Sequence, residues 1–123
     1  MAKEELIYKI SLLQQKAEEI GKQIEAVMKG LQELETIRKT LENLEGKKGK
    51  EVLANVGRNI FIKTELKDEE LFVDIGNKKI IKKNIKDTVV LINEQMKELS
   101  MIREHLEEQM DVIKNEANNL TSD

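Results

Sequence analysis

Two runs of heptad-spaced apolar residues, close to equal in length, flank a middle segment patterned for strands, and no other feature of these 123 residues restricts the fold as strongly. Residues 5 to 45 carry Leu6, Ile10, Leu13, Ala17, Ile20, Ile24, Val27, Leu31, Leu34 and Leu41, with no Pro to interrupt them. Steps of four and three put one apolar stripe along a helix, the seam of a coiled coil. Arg38 falls at a seam position beside an apolar Ile37, a local shift of phase, and Gly46 and Gly49 supply the stop. Residues 85 to 120 repeat the pattern with Ile85, Val89, Ile92, Met96, Leu99, Leu106, Met110, Ile113, Ala117 and Leu120, broken by Arg103. Asn84, three residues before Asp87, has the spacing of a capping box at the start of this helix. At 1.5 Å per residue each run spans roughly 55–60 Å, so a chain that doubles back between them makes an antiparallel coiled coil. Matching the ends pairs residues whose numbers sum to about 126: Leu6 with Leu120, Leu13 with Ile113, Leu41 with Ile85.

Between the arms, over residues 51 to 83, the period changes to that of strands. Four β-branched runs appear: Val52 to Val56, Ile60 to Thr64, Leu71 to Ile75 and Ile80 to Lys83. Gly57-Arg58-Asn59 and Gly76-Asn77-Lys78 each sit between two of them, so the segment reads as two copies of one hairpin. The expected fold is α+β, a single domain over residues 1–123: a long antiparallel two-helix coiled coil with two central β-hairpins. Isolated hairpins are marginal and open edges seek partners. Val52, Val56, Ile60, Ile62, Leu71, Val73, Ile75 and Ile80 are therefore expected to mediate oligomerisation, as the core of a β-barrel shared between subunits.

Composition narrows the chemistry. Charged residues make up 37% of the chain and there are three aromatic residues, Tyr8, Phe61 and Phe72, too little bulk for an enclosed ligand pocket. With no Cys and a single His105, disulfides, thiolate ligands and two-imidazole sites are excluded. His105 lies off the seam and reads as a surface residue. Glu18-Glu19, Glu69-Glu70 and Glu107-Glu108 have no partner arrangement of a catalytic pair, so neither an enzyme nor a cofactor is expected. No run approaches the roughly 20 apolar residues of a membrane span, and Met1-Ala2-Lys3-Glu4-Glu5 leads into charged sequence rather than a signal peptide; a cytoplasmic protein is expected. Residues 46 to 84 carry a net charge of +4 and the remainder −7. The clusters Lys47-Lys48-Gly49-Lys50, Lys78-Lys79 and Lys82-Lys83 have no interleaved aromatics, so they read as solvated turns and nucleic acid is not an expected partner.

A long heptad helix, two central hairpins and a second helix of matching length resemble the prefoldin family of chaperone subunits over the whole chain. The most specific stretch, Glu51-Val52-Leu53-Ala54-Asn55-Val56-Gly57-Arg58-Asn59-Ile60-Phe61-Ile62-Lys63-Thr64-Glu65-Leu66, is similar to the alpha-class strand run that ends in apolar-Phe-apolar-Lys-x-x-Leu. Val73-Asp74-Ile75-Gly76 matches the second hairpin, and two hairpins rather than one resemble the alpha class. Where the family often has Val-Pro-Leu-Gly, this chain has Ala54-Asn55-Val56-Gly57, followed by Arg58-Asn59 in place of a small glycine-rich turn. The resemblance implies a hexamer of two alpha-class and four beta-class subunits with a double β-barrel body. It also implies ATP-independent binding of unfolded protein clients at the coiled-coil tips and transfer to a group II chaperonin. Alpha-like paralogues of the family assemble instead with themselves into filaments, and the altered turns keep that alternative open.

On this resemblance the tips are the two chain ends. The seam residues Leu6, Ile10, Leu13, Met110, Ile113, Ala117 and Leu120 are candidate client contacts that read first as coil core. Ile7, Leu12 and Val112 lie outside the seam and are the better candidates. One buried side chain contributes roughly 1.5–3 kcal/mol before ordering costs, so several arms would have to act together on one client.

Overall fold

The computed structural model describes residues 2–121. In chain order they form α1 (Lys3–Leu44), β1 (Glu51–Gly57), β2 (Ile60–Glu65), β3 (Leu71–Asp74), β4 (Ile80–Lys83) and α2 (Ile85–Thr121). The helices and strands begin and end within two residues of the positions read from the periodicity. The chain divides into two compact units, residues 2–33 with 96–121, and residues 34–95.

The first unit is helix against helix. Leu13, Leu106 and Ile113 are buried, and the remaining seam residues from Leu6 to Leu31 and from Met96 to Leu120, Arg103 among them, are half-buried. The heptad stripe is thus the packing surface. Glu4 and Glu5 in the first turn of α1 complement the positive end of the helix dipole. Two glycines inside α1 face α2: a Cβ on Gly21 would lie 3.9 Å from Met110 Cε, and one on Gly30 would lie 3.3 Å from Leu99 Cδ1.

The second unit joins the end of α1 and the start of α2 to the hairpins. Leu41, Ile85 and Ile92 form its buried apolar positions, with Thr88, whose hydroxyl donates to the Asn84 carbonyl at 2.8 Å. After Leu44 the chain turns at Gly46 and Gly49, with φ of 79° and 80°, which is why glycine stands there. The backbone N–H of Gly46 donates to Glu69 Oε1, tying the helix end to the segment between the hairpins. Asn84 caps α2, its side-chain oxygen accepting from the Asp87 N–H at 2.7 Å.

Both hairpins are antiparallel, and they form two separate two-stranded sheets. In the first, Val52 faces Thr64 and Ala54 faces Ile62; in the second, Leu71 faces Lys83 and Val73 faces Ile81. The first ladder extends past its strand ends, since the Leu66 N–H donates to the Lys50 carbonyl at 2.9 Å. The two turns are copies, as expected. Arg58 and Asn59 have φ of 47° and 62°, Asn77 and Lys78 have 53° and 62°, and positive φ at both central residues is what a type I′ turn requires. In each copy a side-chain oxygen two residues earlier, Asn55 Oδ1 or Asp74 Oδ1, accepts from the glycine N–H at 2.8 Å. The first strand pair shifts register between Asn55 and Gly57, a bulge at Val56, and the second turn repeats it: Lys79 donates to the Gly76 carbonyl and accepts from the Ile75 N–H, both at 3.0 Å.

The inter-helix register departs from the expected sum of 126. Gly30 meets Leu99, Gly21 meets Met110, and Arg38 Nη1 donates to Asn93 Oδ1 at 3.2 Å, pairs whose numbers sum to 129, 131 and 131. The offset is about one helical turn. A heptad seam carries an apolar residue every three or four positions, so sliding one arm by a turn brings apolar rows back into contact, and periodicity alone does not choose between them.

Candidate functional site

The hairpins present large apolar side chains to solvent. Of the residues expected to mediate oligomerisation, Val56, Ile60, Ile62, Ile75 and Ile80 are exposed, while Val52, Leu71 and Val73 are half-buried. Pleating explains the split in the second hairpin: Leu71, Val73 and Ile81 share the covered face, and Ile80 lies on the other with Phe72. Phe72 is 68% exposed and Ile80 65%. The Lys82 Nζ sits 5.8 Å from the centroid of the Phe72 ring, its directly opposite cross-strand neighbour.

Sequence reasoning missed Leu53, Phe61 and Phe72, all exposed. Leu53 and Phe61 project from the face of the first hairpin opposite to Ile60 and Ile62, so that hairpin shows apolar groups on both sides. The signal was available, because the two phenylalanines of the chain both lie in these strands, one residue out of phase with the β-branched set. Four strands in two unjoined pairs also leave backbone edges open. The chain exposes 10017 Å², against about 6,800 Å² for a monomeric globular protein of its mass.

A second apolar surface lies where α1 begins and α2 finishes. Lys9, Leu12, Leu13 and Lys16 from α1 and Glu116, Asn119 and Leu120 from α2 line an open groove of about 450 Å³. It thus gathers Leu12, Leu13 and Leu120 of the ten candidate client contacts. Ile7 and Val112 are exposed, Leu6, Ile10, Met110 and Ala117 are half-buried, and Leu13 and Ile113, below 10% exposed, belong to the coil interior. Tyr8, exposed and one turn before Leu12, was not singled out, although spacing of four on a helix puts the two on one face.

The off-pattern charges are accounted for locally. Arg38 bridges Glu35 on its own helix and Asn93 on the other, its side chain still one-third exposed. Arg103 reaches Glu107 at 3.8 Å, one turn on. His105 is exposed, its Nε2 3.2 Å from Gln109 Nε2. Among the described residues no three His, Asp or Glu side chains converge as metal ligands, and no helix is long and apolar enough to cross a membrane. The exposed apolar groups of the hairpins and of the groove are surfaces available for association.

Two heptad helices, with a pair of hairpins carrying exposed apolar groups between them in sequence, are the elements of a coiled-coil protein. Residues 13–123 match the family described as Prefoldin subunit, so the chain belongs to the prefoldin family, a family of chaperones and not of enzymes. A protein of Methanosphaera stadtmanae called "Prefoldin subunit alpha" is 35% identical over 66 residues, covering 54% of this chain and 48% of the relative. Its namesake from Methanobrevibacter smithii is 38% identical over 64 residues, covering 52% and 44%. These relatives and the second hairpin put the chain in the alpha class. The chain spans about half the length of the curated relatives it matches. Its fold is shared with a filamentous PFD from Methanocaldococcus jannaschii solved by cryo-electron microscopy, with a TM-score of 0.79, 18% identity, and coverage of 94% of this chain and 98% of the other.

Proposed function

We propose that this chain is an ATP-independent holding subunit of a prefoldin-type chaperone, cytoplasmic, that binds unfolded proteins where α1 begins and α2 finishes and passes them to a group II chaperonin. Assembly runs through the hairpins, with beta-class subunits in a complex of two alpha-class and four beta-class chains. The observation that carries the reading is the groove lined by Leu12, Leu13 and Leu120, open to solvent and flanked by exposed Ile7, Tyr8 and Val112. Adaptable apolar surface is what reversible binding of many sequences needs.

The test is to measure native mass for the full chain alone and mixed with a beta-class subunit, then suppression of aggregation of a denatured protein without ATP. A closed complex of fixed mass that forms in the mixture and suppresses aggregation supports the reading. A monomer in both samples, with no suppression, removes it.

A second reading is self-assembly into filaments. The open edges of both hairpins favour it, because strand contacts that do not close on themselves propagate. A ladder of rising masses from this chain alone would select it.

A further inference from the structure

Resting on the reading of the groove as a client site, we infer that Lys9 and Lys16 make it selective for unfolded segments in which an apolar pair is flanked by acidic residues. Lys9, Leu12, Leu13 and Lys16 are spaced at i, i+3, i+4 and i+7, so they share one face of α1 and all line the groove. The lysines therefore bracket the two leucines, about 10.5 Å apart along the helix axis. Both are exposed, and among the described residues neither has an ion-pair partner.

Two unpaired ammonium groups beside an apolar floor attract a carboxylate that arrives with an apolar side chain and repel a client lysine in the same place. A segment that coils into two helical turns on the groove places residues i and i+7 on one face and about 10.5 Å apart, so two carboxylates seven positions apart match the spacing of the lysines. The matching pattern is acidic at i and i+7 with the apolar pair at i+3 and i+4 between them. Glu116 on the facing helix disfavours a client carboxylate on its own side, which turns the acidic edge of the segment toward α1. The partner is thus a non-native polypeptide of stated chemistry, and the lysines are specificity residues added to an apolar site.

The experiment measures binding of three fluorescent peptides to the full-length chain by polarisation. The peptides share one apolar pair and differ in carrying Glu, Gln or Lys on either side of it. The Glu-flanked peptide is expected to bind about fivefold more tightly than the Lys-flanked one, as two exposed ion pairs allow, with the gap closing at high salt. Lys9→Glu with Lys16→Glu should invert the order, and Lys9→Gln with Lys16→Gln should level it. Equal binding of all three peptides overturns the selectivity and leaves the groove as a client site. No binding of any peptide overturns both. An order unchanged by either double variant also overturns the assignment to these lysines, and the milder glutamine pair decides if the charge reversal loses helicity.

Discussion

Gly30 and Leu99 approach so closely that a Cβ on the glycine would lie 3.3 Å from the leucine Cδ1, whereas the same atom on Gly21 would meet Met110 Cε at an ordinary 3.9 Å. Gly21→Ala should therefore gain the helix-propensity difference, about 0.5–1 kcal/mol. Gly30→Ala gains the same backbone contribution and must displace a methyl group by a few tenths of an ångström, so its net effect should be smaller. Urea midpoints of the two variants check this, and a larger gain at Gly30 than at Gly21 would contradict the packing.

Arg58 and Asn59 hold the left-handed backbone of a type I′ turn without glycine at either position. Replacing them by Asn and Gly, the pair best suited to that turn, should stabilise the chain by about 1 kcal/mol. A calorimetric Tm that falls instead would mean that the arginine makes a contact worth more than the backbone strain.

Removing the cap of α2 with Asn84→Ala should lower stability by about 1 kcal/mol, while Asn84→Asp should keep most of it. Thermal unfolding followed by circular dichroism separates the two. Equal loss in both variants would show that the side-chain oxygen at 2.7 Å from the Asp87 N–H contributes little.

Ile62→Asp together with Phe72→Asp places charges on exposed positions of both hairpins. In the free chain these changes should leave helicity within error, and in an assembly they should cause dissociation, because an unpaired carboxylate would be buried. Sedimentation velocity distinguishes dissociation from unfolding. Intact oligomers would exclude these two side chains from the shared surface.

Changing Ile7, Leu12 and Val112 to Ser together should reduce suppression of aggregation severalfold while preserving mass and helicity, since each loses roughly 1.5–3 kcal/mol of potential apolar burial. All three are exposed in the free chain. Suppression equal to that of the unaltered protein would locate client binding elsewhere.

The sequence by itself determined every element whose cause is local. Heptad steps set both helices, Asn84 set the start of α2, Gly46 and Gly49 ended α1, and the repeated Gly-x-x turn set two hairpins, each visible because it depends on residues a few positions apart. Tertiary structure decided what depends on distant residues. The inter-helix register came out about one turn from the end-matched value because a heptad seam is nearly indifferent to such a slide, and close contacts such as Gly30 with Leu99 are specific to one setting. The exposed face of Phe72 and Ile80 also had to be seen, because alternation shows that two faces differ without saying which one is covered. The groove belongs to the same class: Lys9 and Lys16 are legible as one face of a helix, and it takes Leu120 and Glu116, a hundred residues or more along, to make that face the wall of a site.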